Sequence, residues 1–258
     1  MRKIHRPFVV SESGDGNHLF IWLGLDEADA EKGVLTNQYL VVDNGHGMLI
    51  DPGGYFVFQR LVEAVSEFID PGKVEAIFYS HQDPDVVGSL NLVVEFFPRA
   101  TIYISKLWSR FIPHLGVVAG LNVVEIPDEG MDIRLGEAVL RAVPAHFLHS
   151  PGNFTLYDPV VKTLFSADIG ASVFPPGKWY LFVEDEKDFR EHVKYMEGFH
   201  RRYLASSKAL KNWLKGVTRF EVETVAPQHG AIMRGLAAKM FLEWLSGLEN
   251  IGVDLLYP

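Results

Sequence analysis

Ser80-His81-Gln82-Asp83-Pro84-Asp85 sets an imidazole and two carboxylates at two-residue spacing directly after an apolar, strand-like run, Val74 to Tyr79. Alternate residues leaving a strand can converge on one point. One nitrogen and two oxygen ligands within five residues suit a divalent ion such as iron, manganese or zinc. The bland alternative is a solvated loop whose aspartates cap the next helix.

Three later segments repeat the design, each an apolar run that ends in metal-binding side chains. Val139 to Pro144 leads to His146 and His149, Val161 to Ser166 leads to Asp168, and Val222 to Pro227 leads to His229. Loops at strand ends are where a rigid scaffold assembles a site from distant parts of a chain. The recurrence therefore favours one metal site over four separate turns.

Composition narrows the chemistry. The chain has 258 residues, 48% of them apolar and 22% charged, enough to bury a sizeable core. Its net charge of −9, from 24 basic and 33 acidic residues, disfavours a broad phosphate-binding surface, so nucleic acid is not an expected partner. With no cysteine, disulfides, thiolate zinc sites, cysteine nucleophiles and cysteine-ligated iron–sulfur clusters are excluded, and any metal must sit on nitrogen and oxygen. His5, Arg6, Glu12 and Asp15 stand where a secretory signal needs an apolar core, and no stretch of about 18 or more apolar residues occurs. A cytoplasmic protein without a membrane partner is expected.

Along the chain, strands and helices alternate without a linker or repeat. Gln38 to Asp43 and Gly47 to Asp51 read as a hairpin turning at Asn44-Gly45, ending in Asp51-Pro52-Gly53-Gly54. Gln59 to Ile69 has helical periodicity, Pro84-Asp85 opens a second helix that runs to Pro98, and Asp85 is also placed to cap it. Short strands are expected near Thr101 to Ile104, Asn122 to Ile126 and Val139 to Val143, with a hairpin over Phe154 to Phe165 turning at Asp158-Pro159. Glu186 to Lys215 reads as helical with a break near Ser206-Ser207, and Leu236 to Leu248 as a closing amphipathic helix. Strands and helices in both halves predict an α+β fold, an αββα sandwich with the site at one edge.

SHQDPDVVGSL, FLHSPGNF, LFSADIG and APQHG, in this order, resemble the metallo-β-lactamase superfamily, and within it the di-iron domain of flavodiiron proteins. The chain is most similar to the flavin-free, oxygen-binding members of that group. The resemblance implies a single metallo-β-lactamase-like domain over residues 1–258, with two iron ions, no flavodoxin domain and no FMN in this chain. Carried over position by position, it makes His81, Asp83 and His149 ligands of the first iron, Asp85 and His229 ligands of the second, and Asp168 the bridge. Two positions depart from the family pattern. Asp83 stands where glutamate is usual, keeping a hard carboxylate on a shorter arm, and Val86 stands where a histidine ligand is usual.

The resemblance implies a non-haem di-iron protein binding dioxygen, as a sensor or carrier, or as an oxygen or nitric oxide reductase fed by an external electron donor. The alternative is a zinc hydrolase of the same superfamily, in which metal-bound hydroxide attacks an ester, thioester or lactam. Hydrolytic members show HxHxDH, and the two carboxylates here favour iron or manganese over zinc. Whether the protein is an enzyme is left open by these residues.

Other residues have weaker readings. His146 is expected beside the site as a partner of a ligand. His200 and Tyr203 share a helical face with Met196 and Phe199, which reads as core packing, and His46, His114 and His192 show no partner in sequence. The aromatic stretch Val173 to Phe182 reads as a lid, as a contact in a homodimer, or as an ordinary buried loop. Ser150 and Ser166 lack a hydrolase elbow.

Overall fold

The structure is a computed structural model that describes residues 3–117 and 120–256. It divides into two compact units, one up to Arg141 and one from Ala142 onward.

The first unit is built on a mixed seven-stranded sheet with the order Phe8–Glu12, His18–Trp22, Tyr39–Asp43, His46–Ile50, Val74–Phe78, Thr101–Ser105, Asn122–Ile126. The first three junctions are antiparallel and the last three parallel. The change of sense follows from the connections. Asn44-Gly45 turns a hairpin at φ 49° and 81°, whereas helices Phe58–Ser66 and Leu90–Phe96 supply the crossovers that parallel neighbours require. Leu61, Ala64 and Val65 of the first helix, with Leu90 and Val93 of the second, join sheet residues such as Leu40, Leu49, Val74 and Ile77 in one apolar core. Each fully buried aliphatic side chain of this kind contributes about 1.5–3 kcal/mol.

The hairpin, the helix Phe58–Ser66 and the Val74 strand lie where the sequence predicts them, within a residue or a few. The helix expected from Pro84 to Pro98 is instead two pieces, Pro84–Val87 and Leu90–Phe96. The Ser89 hydroxyl donates to Gly53 O at 2.6 Å, and a Cβ on Gly88 would collide with Pro84 O, so the chain steps between the two turns. Asp83, not Asp85, occupies the cap position, and Asp85 sits in the first turn. The strands before residue 27 and the strand Met131–Leu135 have no counterpart in the sequence reading.

In the second unit Phe154–Asp158 pairs antiparallel with Thr163–Phe165, which runs parallel to Thr224–Ala226. Thr224–Ala226 pairs antiparallel with Ile232–Arg234, and that strand parallel with Phe182–Val183. Helices Glu186–Tyr203, Ser207–Val217 and Leu236–Ser246 bury Phe189, Met196, Leu210, Trp213, Phe241 and Leu245 in this unit's core. The expected break at Ser206 is present, with its hydroxyl accepting from Ala209 N at 3.2 Å as an N-cap. No helix among the described residues is long and apolar enough to cross a membrane.

Candidate metal centre

In the first unit the parallel pairing of Ile50 with Phe78 brings two strand ends side by side. Asp51 N donates to Phe78 O at 2.9 Å, and the Asp51 carboxylate accepts from Ser80 N at 2.8 Å. Asp51 holds φ 48°, a conformation side-chain-bearing residues rarely adopt, so the turn is fixed by these bonds and by the Pro52-Gly53-Gly54 that follows. Gly53 in turn donates to Val86 O and accepts from Ser89. The loop that carries this unit's expected ligands is thus bolted to the end of the hairpin. Sequence reasoning takes Asp51-Pro52-Gly53-Gly54 for turn chemistry and misses this support; an aspartate closing an apolar strand is the available signal.

On that loop His81 is buried, its Nδ1 2.9 Å from Ser80 Oγ and its Nε2 3.9 Å from Asp83 Oδ2. Gln82 Nε2 donates to the other Asp83 oxygen at 3.2 Å. Val86 is fully buried in the apolar core as a packing residue.

The second unit brings its three expected ligands together. Phe165 and Ala226 are parallel neighbours, so the loops following them emerge from the same sheet edge. Ser166 N donates to Ala226 O at 3.0 Å, Gln228 N to Ala167 O at 2.7 Å, and Ser172 N to His229 O at 3.2 Å. Asp168 is held between two imidazoles, Oδ2 at 2.9 Å from His149 Nε2 and Oδ1 at 3.4 Å from His229 Nε2. A buried carboxylate with one oxygen facing each of two imidazoles has the donor set of a hard, nitrogen- and oxygen-liganded divalent metal site. His146 packs edge-on against Phe154 at 5.2 Å between ring centres.

Helix Glu186–Tyr203 backs His149 and the loop bearing Asp168. Phe199 and Tyr203 stack at 4.8 Å, and each presents a face or edge to the His149 ring at 6.1 Å. His200 is fully buried; its Nδ1 donates to Met196 O at 2.8 Å and its Nε2 accepts from Gly170 N at 2.9 Å. Burial drives its pKa down to about 4, against opposing pulls from the Met196 carbonyl and the Asp168 charge. The core-packing reading of His200 is right about burial and misses its bond to the Asp168 loop. His192, two turns earlier, lies 2.8 Å from Tyr180 Oη through Nδ1, and burial followed by the nearby His200 lowers its pKa to about 4. His46 lies 2.9 Å from Glu75, and His114 packs against Phe111. The aromatic stretch folds back on the same helix: Val173 N donates to Tyr195 O at 2.9 Å, and Phe174 meets Tyr180, Tyr195 and His192.

The family model of ODP family beta lactamase matches residues 34–230. Among solved structures, the peroxy diiron species of the chemotaxis sensor ODP is 44% identical at a TM-score of 0.84, covering 97% of this chain and 98% of that one. The apo state of chemotaxis sensor ODP from T. denticola is 43% identical at a TM-score of 0.83, with 98% of each chain covered. A flavo di-iron protein from Thermotoga maritima, solved as a point mutant, is 20% identical with a TM-score of 0.78 over 95% of this chain and 62% of its own, and shares the fold. A nitric oxide reductase of Moorella thermoacetica is 22% identical over 84% of this chain and 54% of its own length. The chain spans about half, or less, of the length of the curated relatives it matches. The expected fold class, a mixed α and β metallo-β-lactamase-type domain like that of flavodiiron proteins, is borne out. Matched over most of its length, this protein belongs to the ODP beta-lactamase family.

Proposed function

We propose that this chain is a non-haem di-iron protein that binds dioxygen, with residues 1–258 acting as one domain. His81, Asp83 and His149 would hold one iron, Asp85 and His229 the other, and Asp168 would bridge them. The observation that carries this reading is the placement of Asp168 between His149 and His229, one carboxylate oxygen toward each imidazole. Two irons sharing a carboxylate supply redox chemistry toward dioxygen that zinc cannot perform. Kinship at 44% identity with a chemotaxis sensor supports oxygen binding as a signal, with reduction of oxygen or nitric oxide requiring an outside electron donor.

This chain's residues prepare the centre. Ser80 Oγ, 2.9 Å from His81 Nδ1, restrains the ring whose Nε2 would ligate. Phe199 and Tyr203 shield the His149 ring and narrow the approach to it. Anaerobic reconstitution with ferrous iron, followed by oxygen exposure, tests the reading. Two irons per chain and a new charge-transfer absorption on oxygenation are expected. A colourless zinc protein that cleaves a chromogenic ester would establish the hydrolase instead.

A further inference from the structure

The last turn of helix Glu186–Tyr203 meets one proposed ligand, His149, and the loop that bears another, Asp168, by independent means. Phe199 and Tyr203 pack edge-on against the His149 ring, each 6.1 Å from it. His200, between them in sequence, reaches the loop that carries Asp168 and accepts from Gly170 N at 2.9 Å. Because its Nδ1 faces the Met196 carbonyl at 2.8 Å, and a carbonyl can only accept, the proton sits on Nδ1 and Nε2 offers a lone pair.

The Gly170 bond acts at a position of the loop that only glycine readily takes. Gly170 holds φ +106°, and a Cβ there would meet Met233 at 3.1 Å and Phe241 and Pro227 at 3.3 Å. Other bonds close the loop on itself, Ile169 N to Ser166 O at 2.9 Å and Ala171 N to Asp168 O at 3.0 Å. These fix its shape, and the bond to His200 ties that shape to the helix. The His200 ring has little freedom, since Trp244 packs edge-on against it at 5.1 Å and Phe241 at 6.2 Å.

We infer that His200 is a positioning residue: by holding Gly170, it sets where Asp168 stands relative to the His149 that the same helical turn supports. The inference rests on the metal-centre reading above. It assigns a role to a histidine that neither ligates nor faces solvent, and it makes one turn of helix the common reference for a bridging carboxylate and a terminal imidazole. Outer partners of this kind tune affinity because a ligand held off its position must be moved back at the expense of binding energy.

The test uses the full chain with Co(II) as probe, comparing wild type, His200→Gln, His200→Phe and Tyr203→Leu. Glutamine keeps an acceptor for Gly170; phenylalanine keeps bulk and removes it. Expected are a loss of Co(II) affinity of about 10- to 100-fold in His200→Phe by chelator competition, an altered Co(II) visible spectrum, and recovery of most of both in His200→Gln. Tyr203 is 57% exposed, so Tyr203→Leu should fold normally; it tests the same helical turn if His200→Phe does not fold, and should shift the Co(II) spectrum. Wild-type affinity and spectrum in folded His200→Phe, or in Tyr203→Leu where that variant alone folds, would overturn the inference and leave the metal centre intact. Failure of the wild type to take up Co(II) would overturn both.

Discussion

Asp168 stands between His149 and His229, 2.9 Å from one imidazole nitrogen and 3.4 Å from the other, on a loop tied main chain to main chain with the loop bearing His229. A carboxylate so placed is the natural bridge of a two-metal site. Asp168→Ala should therefore lower bound iron from two per chain to one or fewer, because the cations lose both a ligand and the charge that screens them from each other. Elemental analysis after gel filtration decides it, and unchanged stoichiometry would remove Asp168 from the bridge.

Ser80 acts one bond further out. Its hydroxyl lies 2.9 Å from His81 Nδ1, and losing it removes one restraint on the ring. Ser80→Ala is expected to weaken metal binding about 10- to 100-fold while leaving the fold intact. Chelator competition against wild type, with thermal unfolding of the metal-free protein as control, measures both.

Val86 is a packing residue where the family pattern has a ligand. The second proposed iron, held by one imidazole fewer, should bind more weakly than the first; Val86→His should tighten it, and since Val86 is fully buried the larger polar ring should cost the metal-free protein about 1–3 kcal/mol. A lower melting temperature without metal, together with slower loss of the second metal to chelator, is the expected pair of results. No gain in metal retention would place residue 86 outside the coordination sphere.

Gly230 follows His229 with φ +88°, and a Cβ there would run into Ser172 Oγ. Gly230→Ala should cost about 1–3 kcal/mol from backbone strain alone and displace His229, so that stability and metal affinity fall together. A variant that loses stability and keeps wild-type affinity would show that His229 does not depend on this turn.

The two buried histidines predict a pH dependence. His192 and His200 have folded pKa values lowered to about 4, against about 6.5 in the unfolded chain. Well above pH 6.5 neither histidine binds the proton in either state, and their contribution to stability is flat. Between about 6.5 and 4 the unfolded chain binds protons that the folded chain refuses, so stability falls with pH by about 1.4 kcal/mol per unit for each histidine. Urea unfolding of the metal-free protein at pH 6.5 and 5 measures the slope, and His192→Gln should reduce it by about half. Equal stability at the two pH values would contradict the burial argument.

What the sequence discloses about this protein is the chemistry at strand ends. His81, His149, Asp168 and His229 each trail an apolar run, and that local pattern survives without knowing which strands pair. The supports need pairing. Asp51 matters because Ile50 lies beside Phe78, and His200 matters because its helix lies behind the Asp168 loop; neither adjacency is written in local spacing. Gly88 gives no warning either, since one glycine in a helical run usually weakens a helix without ending it; here Gly53, 36 positions from Ser89, takes the Ser89 hydroxyl and fixes the step.

The cross-bonding of the Ala167 and Gln228 backbones has an evolutionary side. Loops that hold each other through amide and carbonyl groups do not rely on their side chains for shape, so the side chains are exchangeable at small structural cost. A lineage can swap one ligating group for another, changing which metal sits there and how tightly, without rebuilding the scaffold. On this frame a change of side chain at Asp168 or His229 would leave the course of the two loops as it is.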